Sequence, residues 1–158
     1  SLALGDALVV ALMHRRGFRH EDFRMLHPGG RLGAQLARVG GMMHTGDAVP
    51  VLAPDTPMRE GLILMTSKGF GIAGVVRDGR LEGVISDGDL RRSLDRLMDC
   101  TAGDIATRQP KTVTADTLAS EALKIMTDHK IGALFVVDDG GRVQGLLHLH
   151  DCLRSGVA

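Results

Sequence analysis

Two seven-residue stretches and one histidine have types and spacings that suit chemistry. The first stretch is Gly83-Val84-Ile85-Ser86-Asp87-Gly88-Asp89. Ser86 and Asp89 have the spacing of a capping box at a helix start. The same atoms suit a second use. A helix N-terminus offers unpaired N–H groups and the positive end of its dipole to a phosphate. A hydroxyl adds a donor, and a carboxylate accepts from both hydroxyls of a ribose. Spacing alone leaves both readings open. Arg91 and Arg92 follow, as phosphate partners or as a solvated helix face. The second stretch, Gly145-Leu146-Leu147-His148-Leu149-His150-Asp151, keeps the carboxylate but puts His148 in place of the hydroxyl. This site is expected to be weaker, empty or shaped for another ligand. A protonated His148 would make its anion affinity depend on pH. His148, His150 and Asp151 provide no identifiable further ligand, so no metal is expected. The third feature, His27 in His27-Pro28-Gly29-Gly30, reads from its neighbours as a loop residue. His14, His20, His44 and His129 have no partner that the sequence identifies.

These stretches occupy matching places in a duplicated pattern. Residues 49–94 resemble 113–153. Asp55-Thr56 matches Asp116-Thr117, and Met58, Leu62 and Met65 match Ala119, Leu123 and Met126, all at an offset of 61. The triplets fall on the inner face of a helix. Thr56 is expected to cap the first helix with Pro57 at its first position, and Thr117 to cap the second. Strands are expected over 72–76 and 133–137, and return strands over 81–85 and 143–147. Turns at Asp78-Gly79 and Asp139-Gly140-Gly141 join them. Short helices carrying Leu90 and Leu94, or Leu153, close the units. The second turn is one residue longer, so the later offset is 62. Each unit reads βαββα, and two units stacked sheet to sheet would share a core. Upstream, Leu4, Leu8 and Leu12 mark an apolar helical face, and Leu32, Leu36 and Val39 suggest a further short helix. The chain opens inside that first apolar pattern, which reads as a cut through a larger protein.

The chain has 158 residues and zero formal net charge, with four Phe and no Trp or Tyr. Single-stranded nucleic acid calls for exposed rings beside a basic groove, so no nucleic-acid partner is expected. No apolar run approaches the length needed to span a bilayer, so no membrane partner is expected either. Cys100 and Cys152 lie far apart and read as free thiols of a reducing cytoplasm.

Gly-hydrophobic-x-Ser/Thr-x-x-Asp at the end of a βαββα repeat resembles the nucleotide signature of CBS domains. The resemblance implies an α+β fold in which tandem CBS domains form a Bateman module, here over 41–98 and 99–158. It implies a small-molecule nucleotide or nucleotide sugar held by Gly83, Ser86, Asp89, Arg91 and Arg92, with His148 and Asp151 in the second site. Asp89 would bind ribose, Ser86 would meet phosphate, and Gly83 would let the backbone come close. It also implies a homodimer through the CBS domains. Leu2-Ala3-Leu4-Gly5-Asp6-Ala7-Leu8, Met25-Leu26-His27-Pro28-Gly29-Gly30, Leu32-Gly33 and Met43-His44-Thr45-Gly46-Asp47 resemble bacterial arabinose-5-phosphate isomerases. On that resemblance residues 1–40 are helices left from a sugar isomerase (SIS) domain, and His27 is an active-site residue of the intact, tetrameric parent. The reaction would interconvert ribulose 5-phosphate and arabinose 5-phosphate for Kdo and lipopolysaccharide synthesis, without a catalytic cofactor. AMP, ATP or CMP-Kdo would act as allosteric ligand, and the fragment alone would be inactive. A CBS pair that only joins subunits, with no ligand, is the alternative.

Overall fold

The structure is a computed structural model and describes Gly33 and residues 36–157. The helix expected around Leu4–Leu12, and His27, lie outside those residues. The first unit runs β1 (Val51–Leu52), α1 (Met58–Lys68), β2 (Ile72–Arg77), β3 (Arg80–Ser86), α2 (Asp87–Arg92). A connecting stretch carries α3 (Ala102–Ile105) and β4 (Thr107–Arg108). The second unit runs β5 (Thr112–Val113), α4 (Ala119–His129), β6 (Ala133–Val137), β7 (Val143–His148), α5 (Leu149–Arg154). The sheets have strand orders β1-β2-β3-β4 and β5-β6-β7. In each unit the first strand is parallel to the second and the second antiparallel to the third. The duplication extends to an irregularity: the strand register slips between Val75 and Val76, and again between Val136 and Val137. The turn at Asp78-Gly79 has φ of 52° and 80°, the left-handed pair that a two-residue hairpin requires.

Helices α1 and α4 bury the faces that their periodicity marks, through Met58 and Met65 and through Ala119 and Met126. Their expected caps are different. Pro57 and Leu118 occupy the cap positions without a side-chain bond, so neither Thr56 nor Thr117 caps a helix. The reason is a contact from outside the unit. The Thr56 carbonyl accepts the Ala102 N–H (2.8 Å), and the Thr117 carbonyl accepts the Val39 N–H (2.9 Å). Backbone bridges Pro57–Thr101 and Arg38–Leu118 hold the residue before each helix extended, which delays the first turn. Leu94 lies beyond the end of α2, and 66% of it is exposed. Of the short helix expected around Leu32, Leu36 and Val39, a 3-10 turn is present at Val39–Gly41.

Those bridges belong to an exchange. Val39, which leads into the first unit, packs in the core of the second with Met126, Leu134 and Leu147. Leu97, Ala102 and Ile105, which lead into the second unit, pack in the core of the first with Met65, Val75 and Ile85. A third cluster lies where the sheets face each other, around Val49, Ala133, Phe135 and Leu146. There a Cβ added to Gly74 would lie 2.7 Å from the Phe135 ring, so the ring occupies space that only glycine leaves. The hairpin tips join reciprocally. Leu81 donates to the Gly141 carbonyl and Val143 to the Gly79 carbonyl, both at 3.0 Å.

Candidate functional site

The lead-in exchange decides what surrounds each signature carboxylate. Ser86 caps α2 in a complete capping box. Asp89 Oδ2 accepts the Ser86 N–H (2.8 Å) and the Ser86 hydroxyl (2.6 Å). Its Oδ1 accepts from the Arg92 guanidinium (2.5 Å) and from the Thr107 hydroxyl (2.9 Å). Thr107 is on β4, which reaches Asp89 because β4 pairs with β3 at Val84. Burial alone would raise the Asp89 carboxyl. Hydrogen bonds from Ser86, Thr107 and Arg92 outweigh that and hold it below the ordinary carboxylate value.

The same end of α2 opens on a cleft of about 640 Å³. Its apolar part is Phe70, Ile72, Val84, Ile131 and Phe135. Its polar part joins Ser86, Asp89, Arg91 and Arg92 of the first unit to Thr107, Lys111 and Lys130 from the chain beyond it. The lining thus combines apolar side chains with hydrogen-bonding ones, the make-up of small-molecule sites. Gly83 does not line the cleft. A Cβ there would meet the Thr107 carbonyl at 2.8 Å, so the glycine makes room for β4. The backbone it admits is the chain's own.

The second carboxylate repeats the scheme with different side chains. Asp151 Oδ1 accepts from Arg154 (2.5 Å), and Oδ2 meets His44 Nε2 (2.8 Å) and the His148 N–H (3.2 Å). His44 stands where Thr107 stands in the first unit: it bridges Leu146, and Leu146 lies 62 residues after Val84. His148 caps α5 by accepting the His150 N–H on Nδ1 (3.3 Å). That role needs an unprotonated nitrogen. Burial, then the charge of His150, pushes the His148 pKa down, with Asp151 opposing. The acceptor role and the lowered pKa both disfavour the protonated ring, so anion binding by His148 would need more acid than an ordinary histidine requires. Phe70 lies against both His44 (4.9 Å between centroids) and His148 (5.8 Å), and His148 against His150 (5.0 Å). Ring contacts thus run from His44, the partner of Asp151, through Phe70 to His148 and His150. Among the described residues no group of three His, Cys, Asp or Glu is placed to hold a metal ion. Cys100 and Cys152 are free thiols, and burial pushes that of Cys152 up.

Sequence reasoning missed Thr107, His44, Lys111, Lys130, Phe70 and Arg154. Arg154 was within reach, since it stands 62 residues after Arg92. Thr107 and His44 were not: they sit 63 apart, outside both repeat offsets, in stretches whose destination depends on the exchange.

The family model for the CBS domain matches residues 39–96 and 102–157. Across 99% of its length the chain is 49% identical to the arabinose 5-phosphate isomerase KdsD of Pseudomonas aeruginosa and 41% identical to that of Escherichia coli. It covers 50% and 49% of those proteins, so it spans about half the length of the curated relatives it matches. Among solved structures it resembles CBSX2 in complex with AMP. That match has a TM-score of 0.67 and 28% identity, and covers 76% of this chain and 96% of that one. CBSX2 is a protein of Arabidopsis thaliana.

Proposed function

Because the chain belongs to the CBS-domain family and carries a tandem pair, we propose that it is the ligand-sensing half of an arabinose 5-phosphate isomerase. Its cleft binds a nucleotide or nucleotide sugar, with AMP, ATP and CMP-Kdo as the candidates. One observation carries this reading: a buried carboxylate at a capped helix start opens on a cleft lined by both apolar and cationic side chains. In this reading Asp89 accepts from ribose, Ser86 and Gly88 line the phosphate end, and the apolar residues take the base. The Asp87 and Asp89 N–H groups are already given to the Gly71 carbonyl and the Ser86 hydroxyl. The match to CBSX2, whose structure holds AMP, supports an adenosine ligand.

Residues 1–40 belong to a catalytic SIS domain in this reading, with 41–98 and 99–158 as the two CBS domains. In the complete, tetrameric, cytoplasmic enzyme His27 serves the proton transfer between ribulose 5-phosphate and arabinose 5-phosphate. The ligand regulates that reaction only if it binds two states of the pair unequally.

Titration calorimetry with AMP, ATP and CMP-Kdo, on the chain and on its Asp89→Asn variant, tests the reading. Binding by at least one of them, weakened tenfold or more in the variant, is the expected result. Equal affinity in both proteins would remove Asp89 from the site. Silence with every ligand would favour a joining role, for which exposed Ile63, Leu94 and Met98 offer an apolar surface.

A further inference from the structure

The two signature sites, compared position by position, differ in charge as well as in their capping residues and rings. Both keep the carboxylate–arginine pair, Asp89–Arg92 and Asp151–Arg154. Around the first stand Arg91, Lys111 and Lys130. The equivalent positions around the second are Leu153, Pro50 and Gly69, by the offsets of 62 for the first and 61 for the others. Every extra cation of the first site has thus been placed on one copy only.

None of those three cations has an ion-pair partner among the described residues, whereas Arg92 is held by Asp89. The cleft lining holds Arg91, Arg92, Lys111 and Lys130 against Asp87 and Asp89, a surplus of two positive charges in a chain whose formal net charge is zero. A concave wall of one sign concentrates its field on whatever enters. Lys111 lies just before β5, and Lys130 just after α4 in the left-handed conformation (φ 55°). Both therefore come from the second unit and line the cleft that the carboxylates of the first also line.

We propose that the first cleft selects ligands carrying two or more negative charges, and that Lys111 and Lys130 read the anionic end while Asp89 holds the polar middle. This rests on the reading of the cleft as a nucleotide site. The second site, which lacks the extra cations and has Phe70 and three histidine rings in contact beside it, is assigned no such ligand, so the expected stoichiometry is one per chain. A ligand bound this way touches both units at once.

The experiment titrates adenosine, ATP and tripolyphosphate into the 158-residue chain, its Lys111→Gln/Lys130→Gln double variant and its Asp89→Asn variant. ATP and tripolyphosphate should bind the unaltered chain with stoichiometry one. Both should bind the double variant at least about tenfold more weakly, with adenosine unchanged. Raised salt should erase most of that difference. Unchanged ATP and tripolyphosphate affinity in the double variant would overturn the proposal. So would an equal loss for adenosine, or no binding of either anion to the unaltered chain. If Asp89→Asn leaves adenosine and ATP unaffected while the lysine variant still loses tripolyphosphate, the ribose assignment fails and the anion assignment stands.

Discussion

A carboxylate that already accepts four hydrogen bonds must give one up to take another. Asp89 is in that position, with Ser86 on one oxygen and Arg92 and Thr107 on the other. Arg92 is the partner most easily released, because 70% of its side chain is exposed and surface ion pairs contribute little. In the proposed nucleotide reading, a ribose hydroxyl that replaced it would free the guanidinium for a phosphate. Thr107 has a different duty: it ties the carboxylate to β4. Thr107→Val keeps the shape and removes that one bond. It should lower stability by about 0.5–1.5 kcal/mol, read as a shift of the urea midpoint at unchanged slope. Deleting the carboxylate altogether removes more than a helix cap. Asp89→Ala should exceed the cap cost of about 1 kcal/mol, because Thr107 and Arg92 lose their acceptor as well.

At the scale of elements, the repeat was legible because the buried faces of α1 and α4 and the hairpins impose their periods on the sequence. The capping box at Ser86 and Asp89 was legible for the same reason: its partners are three residues apart. The helix starts were misplaced by one residue, since the backbone that holds Pro57 and Leu118 comes from stretches distant in sequence. Gly83 was assigned to a ligand because a glycine advertises close approach but not what approaches. Gly74 shows the same ambiguity, resolved by Phe135. Gly74→Ala drives a methyl into that ring and should cost about 1–3 kcal/mol. Thermal unfolding checks it, and a Gly74→Ala/Phe135→Leu double variant should recover part of the loss.

For the molecule as a whole, acid acts in two steps. The folded chain holds His148 below its ordinary value of 6.5, so it binds that proton less readily than the unfolded chain. Stability therefore falls as pH drops below about 6.5. Asp89 and Asp151 are held below their ordinary 3.8, so their contribution is complete above that value and disappears as pH falls through the lowered range. Urea midpoints measured from pH 8 to pH 3 should show both steps. His148→Asn keeps a cap acceptor without a titrating ring and should flatten the upper step while leaving the lower one. Persistence of the upper step in that variant would assign it to another group. Stacked βαββα units were legible at this scale, and so was an inequality of the sites, through His148 in place of Ser86; the part played by Lys111, Lys130 and Phe70 was not, because those residues are unremarkable in isolation.

The swapped lead-ins also govern how the chain can be divided. A protease cutting near Leu94 would release not two domains but two incomplete ones, each holding a plug that belongs in its sibling's interior. Val39 would be missing from one fragment's core and Leu97, Ala102 and Ile105 from the other's. Mixed in equal amounts, the pieces complete each other; kept apart, each exposes the hole that its sibling fills.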